Sequence, residues 1–161
     1  MIKGYNKVRI KDFEHSHELA EVKISYIGKT PWGEKLIRSN DVFQILFDLY
    51  DKNTISLKEE FFILFLNRAN RCLGWIKLSS GGTSSTVVDI KIVFTLALLT
   101  NSHGFIASHN HPSGSLLPSN SDLQITKQIK EAGKIMDINL FDHIIVSPDR
   151  KYYSFADEGL I

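Results

Sequence analysis

The segment SHNHPSG at residues 108–114, followed by PSNSD at residues 118–122, decides how this chain is interpreted. The residues before it predict a short strand, and the residues after it predict a helix that begins at Ser119. Side chains alternate along a strand, so two residues that are two positions apart project from the same side. His109 and His111 are therefore predicted to lie side by side where the chain leaves the strand.

Asp122 is predicted to complete a metal site with these histidines. On a helix that begins at Ser119, it shares one face with apolar residues spaced by three and four positions. These residues are Ile125, Ile129, Ala132 and Met136. A carboxylate on an apolar face is costly unless a metal or another cation compensates it. Two imidazoles and one carboxylate suit zinc and leave a fourth position open for water.

The same residues also have structural interpretations. Ser119-x-x-Asp122 matches a capping box, in which both side chains only close the first turn of a helix. A His-x-His pair alone is weak evidence, since His15 and His17 have the same spacing and are interpreted as a polar surface segment. The metal-site hypothesis therefore depends on the combination of the two histidines with the aspartate.

Outward from this segment, periodicity and turn signals predict strands interleaved with three helices. The helices are predicted near residues 39–51, within residues 83–100 as a buried helix, and over residues 119–135. Strands are predicted at residues 59–66, 72–78, 103–108, 140–146 and 152–155. The first helix presents Val42, Ile45, Leu46 and Leu49 on one face, and a cap is expected among Ser39, Asn40 and Asp41. This order of elements indicates a layered α/β domain.

The composition is that of a globular protein, with 43% hydrophobic and 23% charged residues in a chain of 161. The net charge of +1 is too balanced to argue for nucleic-acid binding on charge alone. Cys72 is the only cysteine, which excludes an intrachain disulfide and a thiolate zinc site. Residues 1–21 are unlike a signal peptide, and the apolar stretch 92–99 is too short to span a membrane. A cytoplasmic location is expected.

His109-x-His111 followed by ten residues and Asp122 resembles the JAMM motif, and more narrowly the RadC-like branch of the JAB/MPN-plus metalloproteases. Three further segments are similar to that branch: EEFFILFLN at 59–67, EAGK at 131–134, and DHIIV at 142–146 through YSFADEGL at 153–160. The resemblance covers residues 41–161. Residues 1–40 are therefore interpreted as an N-terminal appendage, with a strand predicted at residues 21–27 and a turn at residues 30–33.

This resemblance implies a three-layer α/β sandwich with a mixed sheet, akin to cytidine deaminases. It implies zinc ligands at His109, His111 and Asp122, and a zinc-bound water as the nucleophile. It also implies an acid–base role for Glu59 and a role for Ser119 in stabilising the oxyanion of the tetrahedral intermediate.

Two neighbouring pairs need a choice between their members. Glu59 and Glu60 project to opposite faces of a strand, so only one can reach the metal, and the resemblance favours Glu59. Asp142 and His143 also face oppositely in a predicted buried strand. This argues against a catalytic dyad and for hydrogen-bonded supporting residues.

The function expected from the sequence is a zinc-dependent peptidase or isopeptidase acting on a peptide or protein. The alternative is a non-enzymatic, metal-stabilised accessory module in DNA repair or other DNA transactions. Glu59 and Ser119 favour the enzyme, since a structural metal site needs neither. Longer RadC-like members carry a helical region upstream, whereas about forty residues precede the resemblance here. Nucleic-acid binding is therefore only weakly supported, and the oligomeric state is left open.

Overall fold

The computed structural model describes Tyr26, residues 35–81 and residues 88–161. The helices in these ranges are α1 Ser39–Leu49, α2 Ile90–Leu99 and α3 Asn120–Met136. The strands are β1 Glu60–Leu66, β2 Cys72–Ser80, β3 Gly104–Asn110, β4 Asn139–Val146 and β5 Tyr152–Ser154. They form one sheet in the order β2-β1-β3-β4-β5, in which β3 and β4 are parallel and the other neighbours antiparallel. The mixed α/β fold predicted from the sequence is confirmed.

The sheet is the middle of three layers, and β1 shows why. All seven of its side chains are buried, as expected for a strand covered on both faces. Phe61, Ile63 and Phe65 pack into the core shared with α2 and α3. Phe62, Leu64 and Leu66 pack into the core shared with α1. Alternation along one apolar strand thus holds helices on both sides of the sheet.

The helix faces differ from the predicted ones. α1 buries Val42, Phe43, Leu46 and Phe47, whereas Ile45 is 37% exposed. α3 buries Asp122, Thr126, Ile129 and Gly133, and the predicted Met136 is exposed. Apolar residues spaced by three and four positions locate the buried face of a helix only to within about one residue, because consecutive residues are rotated by about 100° around the helix axis.

The prediction of a buried helix before residue 100 is only half right. α2 buries Val93, Phe94 and Ala97, but Ile92 and Leu98 are exposed. Its sequence is apolar on every side, so composition could not distinguish a buried helix from one that covers a sheet with a single face. The predicted cap of α1 is also wrong: Arg38 is the N-cap and makes no side-chain capping bond.

Several predictions fall outside the described residues, namely the strand at 21–27 apart from Tyr26, the turn at 30–33, and His15 with His17. Among the described residues, no helix is both long and apolar enough to cross a membrane.

Candidate metal centre

Three potential ligands meet where the end of β3 approaches the start of α3. His109 lies inside β3, His111 follows the last residue of that strand, and Asp122 lies in the first turn of α3. The sequence placed His109 at the end of a shorter strand, but β3 continues to Asn110. Within residues 35–81 and 88–161, these side chains are the one group of three or more whose arrangement could hold a metal ion.

The ligand atoms converge closely. His109 Nε2 lies 3.0 Å from His111 Nε2 and 3.2 Å from Asp122 Oδ1. His111 Nε2 lies 3.5 Å from Asp122 Oδ2. A cation between these atoms would touch all three side chains.

The hydrogen bond on the far side of His111 determines what its ring offers to the site. Its Nδ1 lies 2.8 Å from the backbone oxygen of Ser115, which can only accept a hydrogen bond. The Nδ1 atom therefore carries a proton, and in the neutral ring Nε2 presents a lone pair beside the carboxylate of Asp122. Lone pairs and a carboxylate that converge in this way require a cation, either a proton or a metal.

The metal-free site compensates part of this charge by proton binding. The hydrogen bond to Asp122 raises the pKa of His111 above its usual value, although burial opposes the shift. Burial alone would raise the pKa of Asp122, but its contacts with the imidazoles of His109 and His111 outweigh burial and hold the pKa well below its usual range. A proton and a metal ion would therefore compete for this site.

This coupling predicts a pH-dependent stability of the metal-free protein. The raised pKa of His111 stabilises the fold fully below about pH 6.5, and the contribution disappears as the pH rises through the raised value. We therefore expect the melting temperature of wild type to exceed that of His111→Gln by more at about pH 5.5 than at about pH 9. Thermal melts of both proteins in chelator test this. A difference that widens with pH would contradict the pairing of His111 with Asp122.

Glu59 lines the same cleft as the three ligands, and the cleft has a volume of about 440 Å³. Glu60 lies on the other side of the strand and is buried. One of its carboxylate oxygens, Oε1, is 2.8 Å from Nζ of both Lys58 and Lys77. Although burial opposes the shift, these two ammonium groups lower the pKa of Glu60. The structure thus brings Glu59, and not Glu60, into the cleft with the ligands.

Ser119 caps α3 and also lines the cleft. Its backbone N–H and its hydroxyl donate to Asp122 Oδ2 over 2.7 and 2.6 Å, and its hydroxyl accepts from Asp122 N over 3.2 Å. The capping box therefore exists, and it does not compete with the metal-site interpretation. The box holds the carboxylate by Oδ2 and leaves Oδ1 directed at His109.

A sequence model of the RadC-like JAB domain matches residues 36–160. The chain belongs to the RadC-like JAB family. A UPF0758 protein of Flavobacterium johnsoniae is 45% identical over 127 residues, which are 79% of this chain and 54% of that protein. A UPF0758 protein of Methanosarcina mazei is 31% identical over 160 residues, which are 99% of this chain and 67% of that protein. The chain spans about half the length of four curated relatives that it matches.

In this RadC-like JAB domain, Asn110 is a supporting residue that the sequence did not indicate. It lies between the two histidines, but its side chain is on the opposite face of β3 and is fully buried. Its Oδ1 accepts from the backbone N–H of Glu60 over 2.8 Å. Its Nδ2 donates to the backbone oxygens of Ile55 and Lys58 over 2.7 and 2.9 Å. One amide thus ties the segment that carries Glu59 to the strand that carries the candidate ligand His109.

We expect Asn110→Ala to destabilise the RadC-like JAB domain by about 2–4 kcal/mol while its metal affinity stays near that of wild type. The substitution leaves a buried N–H and two carbonyl oxygens without their partner, and each such loss costs about 1–3 kcal/mol before relaxation. Urea unfolding and a metal titration measure the two quantities. Unchanged stability would show that Asn110 does not anchor the segment before β1.

Asp142 and His143 support different parts of the domain. Asp142 accepts hydrogen bonds from Ser154 Oγ over 2.6 Å and from the backbone N–H of Ala156 over 3.0 Å, and burial raises its pKa. His143 is fully buried on the other face, where its ring contacts His109. Burial lowers the pKa of His143 well below its usual range. The two side chains therefore do not form a dyad.

Proposed function

We propose that this chain is a zinc-dependent hydrolase that cleaves peptide or isopeptide bonds. His109, His111 and Asp122 would hold the zinc ion, and Glu59 would serve as the general base. The observation that carries the proposal is that an acidic side chain lines the same cleft as three converging ligands. A purely structural metal site has no need of such an acid.

The donor set and its spacing support zinc. Atoms bound tetrahedrally to zinc at ~2.0–2.1 Å are roughly 3.3–3.4 Å apart. Here His109 Nε2 lies 3.0 Å from His111 Nε2 and 3.2 Å from Asp122 Oδ1, and one ligand atom from each of the three residues lies within 4.8 Å of the others. Two imidazoles and one carboxylate also match the three-ligand sets of catalytic zinc, which leave one position open. When bound, zinc would supply a lowered pKa for water and polarise a carbonyl oxygen.

The side chains around the ligands would perform the remaining steps. Glu59 would take a proton from the attacking water and pass it to the leaving amine. Ser119 lies on the wall of the cleft and would supply a hydrogen-bond donor for the negative oxygen that develops during attack. Its hydroxyl proton points to Asp122 in this structure, so this role requires the hydroxyl to rotate.

The charge of the cleft favours an uncharged amide over a phosphodiester. Among the described residues, those that line it include the carboxylates Glu59 and Asp122 but no lysine or arginine. Its lining also includes the apolar side chains of Phe61, Val88 and Ile125 and several serines. Two carboxylates and a divalent ion would leave the centre neutral. A phosphate group would therefore find no basic side chain to neutralise it there.

The proposal is tested in two steps. Elemental analysis of protein purified without chelator is expected to find about one zinc per chain. The zinc-loaded protein is then assayed against peptides and ubiquitin-like conjugates, with Glu59→Gln as the inactive control. No metal after reconstitution would overturn the metal centre. Zinc-loaded protein that cleaves nothing but binds DNA at physiological salt would support the accessory-module alternative.

A further inference from the structure

A row of buried polar side chains lies behind His109, on the side away from the cleft. Nδ1 of His109 is 2.9 Å from Nε2 of His143 in β4. Nδ1 of His143 is 2.6 Å from the hydroxyl oxygen of Thr126 in α3. All three residues are buried. Burial makes the direction of each hydrogen bond matter, since no solvent replaces a missing partner.

Thr126 fixes the direction of the row. Its hydroxyl lies 2.5 Å from the backbone oxygen of Asp122, one helical turn earlier, and that oxygen can only accept. The single hydroxyl proton therefore points to Asp122. Towards His143 the hydroxyl can only accept, so Nδ1 of His143 must carry a proton.

The surroundings of His143 favour a neutral ring. Its side chain is fully buried, with the ring of Phe155 stacked 4.8 Å away and that of Phe61 at 5.5 Å. A cationic imidazole in such apolar surroundings would be costly. A neutral ring with its proton on Nδ1 has a lone pair on Nε2. That lone pair accepts the N–H of His109 Nδ1, and His109 Nε2 is left unprotonated towards the cleft.

We propose that Thr126 and His143 are positioning residues that fix His109 in the tautomer able to bind the metal. The inference rests on the metal site of the proposed function. A histidine that binds a metal through one ring nitrogen usually donates the N–H of its other ring nitrogen to a carboxylate, a backbone carbonyl or water. Carboxylates and backbone carbonyls can only accept hydrogen bonds, so they fix the tautomer of the histidine. Here the partner is another imidazole, which can donate or accept at Nε2. Thr126 is what removes this ambiguity.

The same hydroxyl also connects two ligands of the site. Thr126 bonds to the backbone of Asp122 and acts on His109 through His143. The start of α3 is thereby linked to β4 and β3 through buried polar contacts. Loss of the Thr126 hydroxyl would leave the N–H of His143 Nδ1 without an acceptor, at the cost of an unsatisfied buried donor. Moving that proton to Nε2 of His143 would remove the cost. Nε2 of His143 would then donate to Nδ1 of His109, and the proton of His109 would move to its own Nε2. A proton at that position would block metal binding.

Three substitutions test this inference. Thr126→Val has nearly the same shape as threonine but lacks the hydroxyl, whereas Thr126→Ser keeps the hydroxyl and should restore wild-type behaviour. Thr100→Val is the matched control, because the Thr100 hydroxyl also bonds to the backbone oxygen four residues earlier, that of Leu96, over 2.9 Å. Thr100 precedes β3, and the metal site is at the other end of that strand.

Two measurements are needed. Competition with a chromophoric chelator should show that Thr126→Val binds zinc about 10–100-fold more weakly than wild type. Thr126→Ser and Thr100→Val should remain within about threefold of wild type, since neither changes the row. Long-range proton–nitrogen NMR of the metal-free proteins should find the proton of His109 on Nδ1 in wild type and Thr126→Ser. In Thr126→Val a signal from the Nε2 proton should appear.

The outcomes separate this inference from the proposed function. Wild-type zinc affinity in Thr126→Val, with His109 still protonated only on Nδ1, would overturn the role of Thr126 and leave the proposed hydrolase intact. An equal loss of affinity in Thr100→Val would show a general effect of removing a threonine hydroxyl that bonds to a helix backbone, and would also overturn it. If wild type binds no zinc, the proposed function fails, and the NMR comparison still decides whether Thr126 sets the tautomer.

Discussion

Glu59→Gln is expected to abolish turnover of any peptide or isopeptide substrate while leaving the fold and the zinc in place. Glutamine keeps the size of the side chain but cannot accept a proton from water. A positioned acid–base group typically contributes ~10²–10⁴-fold to the rate, so kcat should fall by at least about 100-fold. Single-turnover assays and elemental analysis of the same preparation measure both effects.

Glu60→Gln is the matched control for this prediction. Glu60 lies on the other side of β1, where it binds Lys58 and Lys77, so kcat should stay near wild type. Its stability should nevertheless fall by about 1–3 kcal/mol, because two charge-assisted hydrogen bonds weaken. The fall is limited because the lysine side chains are 37% and 40% exposed and remain hydrated. An inactive Glu60→Gln beside an active Glu59→Gln would reverse the roles of the two acids.

The sequence was informative about this region because short-range rules govern it. The nearly continuous apolar run of β1 predicted a strand covered on both faces, and all seven residues are buried. Period-two alternation then separated Glu59 from Glu60. The predicted helix start at Ser119, which is the N-cap of α3, put Asp122 in the first helical turn. The capping box and the ligand geometry, which the sequence left as alternatives, occur together and support each other.

Contacts between residues distant in sequence could not be predicted in the same way. Asn110 holds backbone atoms of residues 50 to 55 positions earlier, and its neighbours along the chain give no sign of this. Thr126 was passed over because the apolar stripe of α3 was placed one position away. His143 was expected to be a hydrogen-bonded support, but its partner depends on the parallel pairing of β4 with β3. Such pairings depend on the tertiary fold rather than on local spacing.

Asp122→Ala is expected to weaken zinc binding far more than Glu59→Gln does. Asp122 Oδ1 is 3.2 Å from His109 Nε2 and would coordinate the ion directly, whereas a general base acts through water. Removing a supporting residue of a metal site typically costs 10–100-fold in affinity, so the loss of a ligand should exceed about 100-fold. Competition with a chelator, run on both variants and on wild type, gives the comparison.

Alanine at position 122 also removes the capping box, since Asp122 Oδ2 accepts from the backbone N–H and the hydroxyl of Ser119. Asp122→Asn separates the two effects, because its amide oxygen can still accept both bonds but carries no negative charge. We expect Asn to preserve most of the roughly 1 kcal/mol that the cap contributes, yet to bind zinc nearly as weakly as Ala. If Asn retained wild-type affinity, the charge of Asp122 would not matter to the metal. If Glu59→Gln lost as much zinc as Asp122→Ala, Glu59 would be a ligand and the division of roles in this cleft would be wrong.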